Sequence, residues 1–231
     1  MTISATRLDQ VTSHELARRG WGTLLVVPLG STEQHGPHLP LGTDTMVASV
    51  LCDRLAQRRD DVLVAPPLGI GASGEHQEFI GTISIGTDVL AAVLTEVVRS
   101  ARSSFRGVVV VSGHGGNAAA LARASTTAMR EGDDLLCFSP SIDGGDAHAG
   151  RSETSMLLAL DPSLVRQDEV VIGTLTPLSE IANELRDGRL KEVSPTGILG
   201  DPTAASLGEG RALLDMLSNQ LLDVVDSRFP R

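Results

Sequence analysis

The feature that most narrows the fold is a set of short, continuous apolar runs, each closed by a loop and followed by a helical pattern. The runs are Thr23–Leu29 (TLLVVPL), Val62–Pro66, Gly107–Ser112 (GVVVVS) and Leu135–Phe138. None alternates polar with apolar residues, so each reads as a strand buried on both faces. Helices fill the intervals. Asp44–Gln57 places Met46, Val47, Val50, Leu51 and Leu55 on one face, and Thr87 stands as N-cap before Leu90, Val93, Leu94, Val97 and Ala101. A third helix runs from about Asn117 to Arg130, and a short one from Ser155 stops near Pro162. Ser206–Val225 closes the chain with Leu213, Leu217, Leu221 and Val224 on one face. Thr174–Asp201 is the least regular stretch and reads as a flap or an interface segment. The β-α alternation predicts an α/β fold: a three-layer α/β/α sandwich around a mostly parallel sheet. With no repeat and no linker, residues 1–231 read as a single domain.

Hydrophobic residues make up 41% of the chain, with no Tyr, one Trp and four Phe, so the core must be aliphatic. The formal charge of −10 argues against a nucleic-acid partner, which needs a basic footprint. Cys52 and Cys137 read as small buried hydrophobes, because no disulfide framework or Cys-x-x-Cys spacing surrounds them. Met1–Gln10 has no apolar leader, and no apolar run reaches the roughly 18 residues a membrane span requires. The expected compartment is the cytoplasm.

In open α/β sheets, ligands bind beyond the carboxyl ends of the strands. After the first strand come Glu33, His35, His38 and Asp44, set between Gly and Pro. After GVVVVS come Gly113-His114-Gly115-Gly116-Asn117, and after the fourth strand Asp146, His148 and Glu153. Of six histidines, only His14 lies in an ordinary helical pattern. Loops after parallel strands converge on one edge, and imidazole with carboxylate suits Zn²⁺, Mn²⁺ or Fe²⁺. With no cysteine nearby, an open hydrolytic site is the better reading than a structural zinc. Two other classes stay open. Gly113–Ala118 also fits G-x-G-x-x-G/A and would make the chain a dinucleotide-binding oxidoreductase. A pure binding protein would need no such gathering of acids and imidazoles.

Glu33-x-His35-Gly with Asp44, Ser-Gly-His114-Gly-Gly-Asn117 and His148-Ala-Gly-x-x-Glu153-Thr-Ser closely resemble, in order, the motifs of the creatininase family of amidohydrolases. The resemblance runs from about Leu24 to Leu160. It implies a single-domain α/β/α sandwich, a homo-oligomer and a centre of one or two divalent ions, Fe²⁺ or Zn²⁺, with Mn²⁺ as a third option. Carried over, Glu33 and His114 would hold one ion, His35 the other, and Asp44 would bridge them. His148 matches a substrate-contacting histidine, and His148 and Glu153 are the acid/base groups at hand. One position departs: creatinine-hydrolysing members carry a metal-binding Glu where this chain has Gly116. Either Glu153 would take over as ligand or the second ion would be held more weakly, with empty volume left beside Gly116. Within the family, GSTEQHGPHLPLGTD and Gly71-Ala-Ser-Gly-Glu75-His76-Gln most resemble the mycofactocin-system peptidase branch. That branch implies a small modified peptide substrate that loses its C-terminal Val-Tyr unit. The alternatives within the family are creatinine or formamide hydrolysis.

Overall fold

The structure, a computed structural model, describes residues 7–231. The reading of Met1–Gln10 falls mostly outside the described residues. The elements follow in chain order: α1 (Ser13–Arg19), β1 (Leu24–Leu29), α2 (Thr43–Arg58), β2 (Val62–Val64), α3 (Gly86–Ala101), β3 (Gly107–Ser112), α4 (Ala118–Glu131), β4 (Leu135–Phe138), α5 (Arg151–Leu160), α6 (Leu178–Arg186), α7 (Leu190–Val193) and α8 (Leu207–Arg228). The four strands form one parallel sheet in the order β2-β1-β3-β4.

The strand pleat divides the core in two. Leu24, Val26, Val109 and Val111 point to one face and pack with α2, α5 and α8 through Leu51, Leu157, Leu214 and Leu221. Leu25, Val27, Leu29, Val108 and Val110 point to the other and pack with α3 and α4 through Leu90, Leu94, Leu121 and Ala124. The result is the expected three-layer α/β sandwich. Among the described residues, no helix is long and apolar enough to cross a membrane.

Several local expectations shift. Thr87 caps nothing, because α3 begins one residue earlier at Gly86, whose φ of +76° is open only to glycine at little cost. The buried faces of α3 and α8 are rotated by about one residue. Ala91 and Val98 are buried in α3 where Val93 and Val97 are half-exposed, and Leu214 and Val225 are buried in α8 where Val224 is 40% exposed. Both helices carry apolar residues over a wide arc, so packing chooses the edge. Cys52 is buried as expected, but Cys137 is only half-buried, with its thiol 3.3 Å from Ser125 Oγ. The stretch 174–201 contains two helices, α6 and α7, rather than irregular chain.

Because β2 and β3 lie on opposite sides of β1, the chain reverses its winding direction between β1 and β3. That is where loops part at the carboxyl edge of such a sheet and leave a crevice.

Candidate metal centre

The β1 loop (30–42) is folded back on itself. Glu33 N–H donates to Leu41 O, Leu39 N–H to His35 O, and Gly36 adopts φ +64° to make the turn. This aims Glu33 and His35 inward while α2 starts beside them and puts Asp44 in its first turn. The end of β3 presses on that turn. A Cβ on Gly113 would lie 2.2 Å from Asp44 O, so only glycine permits the approach that brings His114 in. Glu33 and His35 are fully buried, Asp44 2% exposed and His114 6%.

The hydrogen bonds fix which nitrogen of each ring carries a proton. His35 Nδ1 lies 3.1 Å from Glu33 O, an acceptor, so it donates there. Its Nε2 lone pair then faces Asp44 Oδ1 at 3.0 Å. His114 Nε2 lies between two acceptors, Ala72 O at 3.3 Å and Glu75 Oε1 at 3.2 Å. Its Nδ1 lone pair therefore faces Glu33 Oε1 at 3.2 Å and Asp44 Oδ2 at 3.3 Å. His148 Nε2 donates to Gln34 O at 2.9 Å, which leaves Nδ1 toward Glu33 Oε1 at 3.7 Å. Lone pairs of His35, His114 and His148 thus converge on the carboxylates; His76 Nε2 approaches Glu33 Oε1 at 3.3 Å, but neither buried carboxylate oxygen of Glu33 makes a hydrogen bond of good geometry among the described residues. Buried carboxylates in that condition are costly. A divalent cation removes the conflict, and the donor set of imidazole and carboxylate fits a borderline cation.

The titration of the metal-free protein expresses the same conflict. Burial opposes charge on His35, but Asp44, Glu153 and Glu33 carry its pKa up to about 9. Burial likewise opposes charge on His114, and Asp44, Glu33 and Glu75 carry it well above the usual value. Asp44 is held well below the carboxylate range, against its burial, by His35 and His114. Protons here stand in for a missing cation. His148 behaves oppositely: burial, then His35 and His76, hold it well below 6.5, so it is neutral. Glu153 is pushed up to about 7, first by burial and also by Asp44 and Glu33. Its Oε2 accepts from Ala149 N–H at 2.6 Å and lies 3.9 Å from His35 Nε2. Ala149 sits at φ +51°, a strained conformation for a residue with a Cβ, next to His148.

Three overlapping donor sets come within ligand reach of one another: Glu33–His35–Asp44, Glu33–His76–His148 and His35–His148–Glu153. The structure therefore brings together Glu33, His35, Asp44, His114, His148 and Glu153. It adds His76, whose Nε2 is 3.3 Å from Glu33 Oε1 and whose Nδ1 accepts from Gln34 Nε2 at 2.9 Å. It also adds Ser31, which donates to Asp44 Oδ2 at 2.5 Å. His76 was legible only as part of an unassigned Gly-Glu-His loop, and nothing in the sequence pointed to Ser31 or Gln34.

One expectation is corrected, and two residues near the cluster take supporting places. His38 lies outside the cavity wall. It is fully buried, its Nε2 bonds Thr154 Oγ1 at 2.8 Å, and burial and His35 lower its pKa to about 4. It steadies the helix turn that carries Glu153. Asn117 stands at the start of α4, but its side chain makes no cap hydrogen bond to the helix. Its side chain accepts from Ala72 N–H and donates to Gly30 O and Ser112 Oγ, tying three loops together. The space beside Gly116 is not empty, since a Cβ there would lie 2.4 Å from both Glu75 Oε1 and His114 Nε2. The same crowding removes the dinucleotide reading. Glu75 and His114 crowd Gly116, the third glycine of the turn that a pyrophosphate would approach.

The cluster lies at the foot of a cavity of about 720 Å³ whose walls include Leu178, Leu185, Arg186 and Leu190. A family model described as creatininase, creatinine amidohydrolase, matches residues 9–225. The chain belongs to the creatininase family. It is a hydrolase of that metal-dependent amidohydrolase group. The mycofactocin precursor peptide peptidase of Mycobacterium ulcerans (strain Agy99) is 47% identical over 219 residues, covering 91% of this chain and 86% of that one. A creatininase variant described as the Zn–Zn type superposes with TM-score 0.86 at 25% identity, covering 98% of this chain and 99% of that one. A creatininase described as the Mn form gives TM-score 0.85 at 26% identity, covering 98% and 100%.

Proposed function

We propose that this creatininase-family chain is a peptidase acting on a precursor peptide, as the mycofactocin relative's name describes, and that it cuts an amide bond near the C-terminus of a short modified peptide. The observation that carries the reading is the pairing of a partnerless buried Glu33 with a roomy, leucine-walled cavity above it. A carboxylate left in that state serves a cation, and a cavity of about 720 Å³ is far larger than a creatinine ring needs.

Glu33, His35, Asp44 and His114 would hold one or two Fe²⁺, Zn²⁺ or Mn²⁺ ions, with Asp44 offering one oxygen to each side and Glu153 completing the set. When bound, such ions supply a nucleophile at neutral pH and polarise the scissile carbonyl. Glu153 at the foot of the cavity takes the proton released by the attacking water and delivers it to the leaving amide nitrogen. His148, neutral with Nδ1 turned inward, accepts a substrate N–H and orients the peptide. Positioning of this kind supplies a large part of an enzyme's rate. Among the described residues, Arg186 is the one arginine or lysine in the cavity wall, where it would meet the C-terminal carboxylate.

Residues 1–231 act as one domain in this reading, in the cytoplasm, as a homo-oligomer larger than a dimer. Exposed apolar side chains such as Ile80, Ile172 and Leu175 support the last point. A light-scattering mass near the monomer's 24.2 kDa would overturn it.

The test is a comparison of kcat/KM for the maturase-treated precursor peptide, creatinine and a formamide on metal-restored enzyme. The peptide is expected to lead. Equal or better turnover of creatinine or the formamide would overturn the peptidase reading.

A further inference from the structure

Gly116 leaves room that another element uses. Glu75 comes from the short turn Gly74–His76 in the loop after β2, far from His114 in sequence. Its Oε1 stands 3.2 Å from His114 Nε2, at the spot a side chain on residue 116 would take. Nδ1 and Nε2 lie on separate edges of the imidazole ring. A carboxylate on Nε2 is therefore turned away from Glu33 and Asp44, which face Nδ1. Glu75 belongs to none of the donor sets within ligand reach of one another among the described residues.

A carboxylate on the far nitrogen does two things to a ligating histidine. It locks the ring in one tautomer and orientation, and it makes the near nitrogen a stronger donor. The backbone oxygen of Ala72, at 3.3 Å, is a second acceptor but carries no charge.

We propose that Glu75 is a positioning residue whose carboxylate holds His114 Nε2–H and so aims Nδ1 between Glu33 and Asp44. Gly116 is required because any side chain there would take the place of that carboxylate. The inference rests on the metallohydrolase reading. It gives the glycine at this position a purpose: the chain moves a carboxylate from the helix-side loop to the β2 loop, and from ligand to support.

The experiment titrates metal-free wild type, Glu75→Gln and Glu75→Ala with Zn²⁺ against a chromogenic chelator, and records the melting temperature of each metal-free form. Failure of wild type to bind Zn²⁺ would sink the metallohydrolase reading itself. With wild type binding, Glu75→Ala should weaken affinity roughly 10-fold to 100-fold at unchanged stoichiometry. Glu75→Gln, whose amide oxygen still accepts from Nε2–H, should recover part of the loss, with metal-free melting temperatures alike. Affinity within twofold of wild type in Glu75→Ala overturns the proposal. So does loss of a whole ion with the remaining affinity intact, which would make Glu75 a ligand. A Glu75→Gln loss as large as that of Glu75→Ala also overturns it.

Discussion

Two clusters of buried charge sit at opposite ends of the same sheet, and they are built on opposite principles. At the amino edge, the fully buried Arg59 donates to both oxygens of Asp61, to Asp226 and to Phe229 O, while Arg106 also bonds Asp61. Two arginines meet two aspartates, and the guanidinium of Arg59 is satisfied on all three nitrogens. At the carboxyl edge, Glu33, Asp44 and Glu153 face imidazole lone pairs, and Glu33 has no partner. Buried charge is tolerated when it is paired and hydrogen-bonded. In the first cluster the Arg59 guanidinium meets that condition from the protein's own residues, with Arg106 Nε left unpartnered, and the cluster anchors the C-terminal end of α8 to β2. The second does not, and the deficit is positive charge. The contrast separates a structural ion cluster from a binding site without reference to any relative.

The largest effect expected is at the deficient end. Asp44→Ala removes the one carboxylate whose two oxygens face both His35 and His114. Activity should fall to background, and elemental analysis should find well under half an ion per chain. Retention of the wild-type ion count would break the contrast, because the cluster would then not depend on its central acid. At the balanced end, Arg59→Met leaves Asp61 with Arg106 alone and Asp226 facing solvent, and should cost about 1–3 kcal/mol of stability in urea unfolding. The metal content of the folded protein should not change.

Next in size is the response to pH. In metal-free protein, His35 has a folded pKa of about 9 against the ordinary 6.5. A raised folded pKa means the stabilisation is complete below pH 6.5 and is lost as pH rises through 9. The difference amounts to roughly 3 kcal/mol. Urea midpoints of chelator-treated protein should therefore fall between pH 6.5 and 9.5, and saturating metal should flatten the slope. At pH 9.5 without metal, His35 is mostly neutral and offsets Glu33 less. Glu33→Gln should then raise metal-free stability by about 1–3 kcal/mol while abolishing metal binding. A destabilised Glu33→Gln under those conditions would show that the carboxylate is satisfied after all.

The two ends also differ in how far they could be read from sequence. Strands β1, β2 and β3 were legible because a strand buried on both faces leaves an unbroken apolar run, and β4 shows the same run although it is an edge strand half-buried over most of its length. Glu33, His35, Asp44, His114, His148 and Glu153 were legible as chemistry because each follows a strand in a glycine-bearing segment. Their supports were not. Glu75, His76 and Gln34 meet His114, Glu33 and His148 through loops whose approach depends on tertiary packing, which no periodicity records. Arg59 and Asp226 were invisible for the same reason, since 167 residues separate the pair. Helix phase was off by one where an apolar arc is broad, as at Val224 and Val225 in α8.

The smallest effect expected concerns the mouth of the cavity, where the deficient cluster meets substrate. Asp44, Glu75, Glu153 and Asp187 line this space, so it is acidic, and a peptide's terminal carboxylate needs a cation to enter it. Arg186 at the end of α6 is, among the described residues, the only one in the wall with a permanent positive charge. Its side chain bonds only Ala182 O and Asn183 Oδ1, both on its own helix. The residue is exposed, so solvent screening limits the value of any pairing with substrate to about 1 kcal/mol, or roughly fivefold. Arg186→Gln should raise KM for a peptide with a free C-terminal carboxylate by about that factor and leave kcat nearly unchanged. The same peptide with an amidated C-terminus should not distinguish wild type from variant. If both peptides lose equally, Arg186 serves the wall rather than the substrate, and carboxylate recognition must come from the ions at the foot of the cavity.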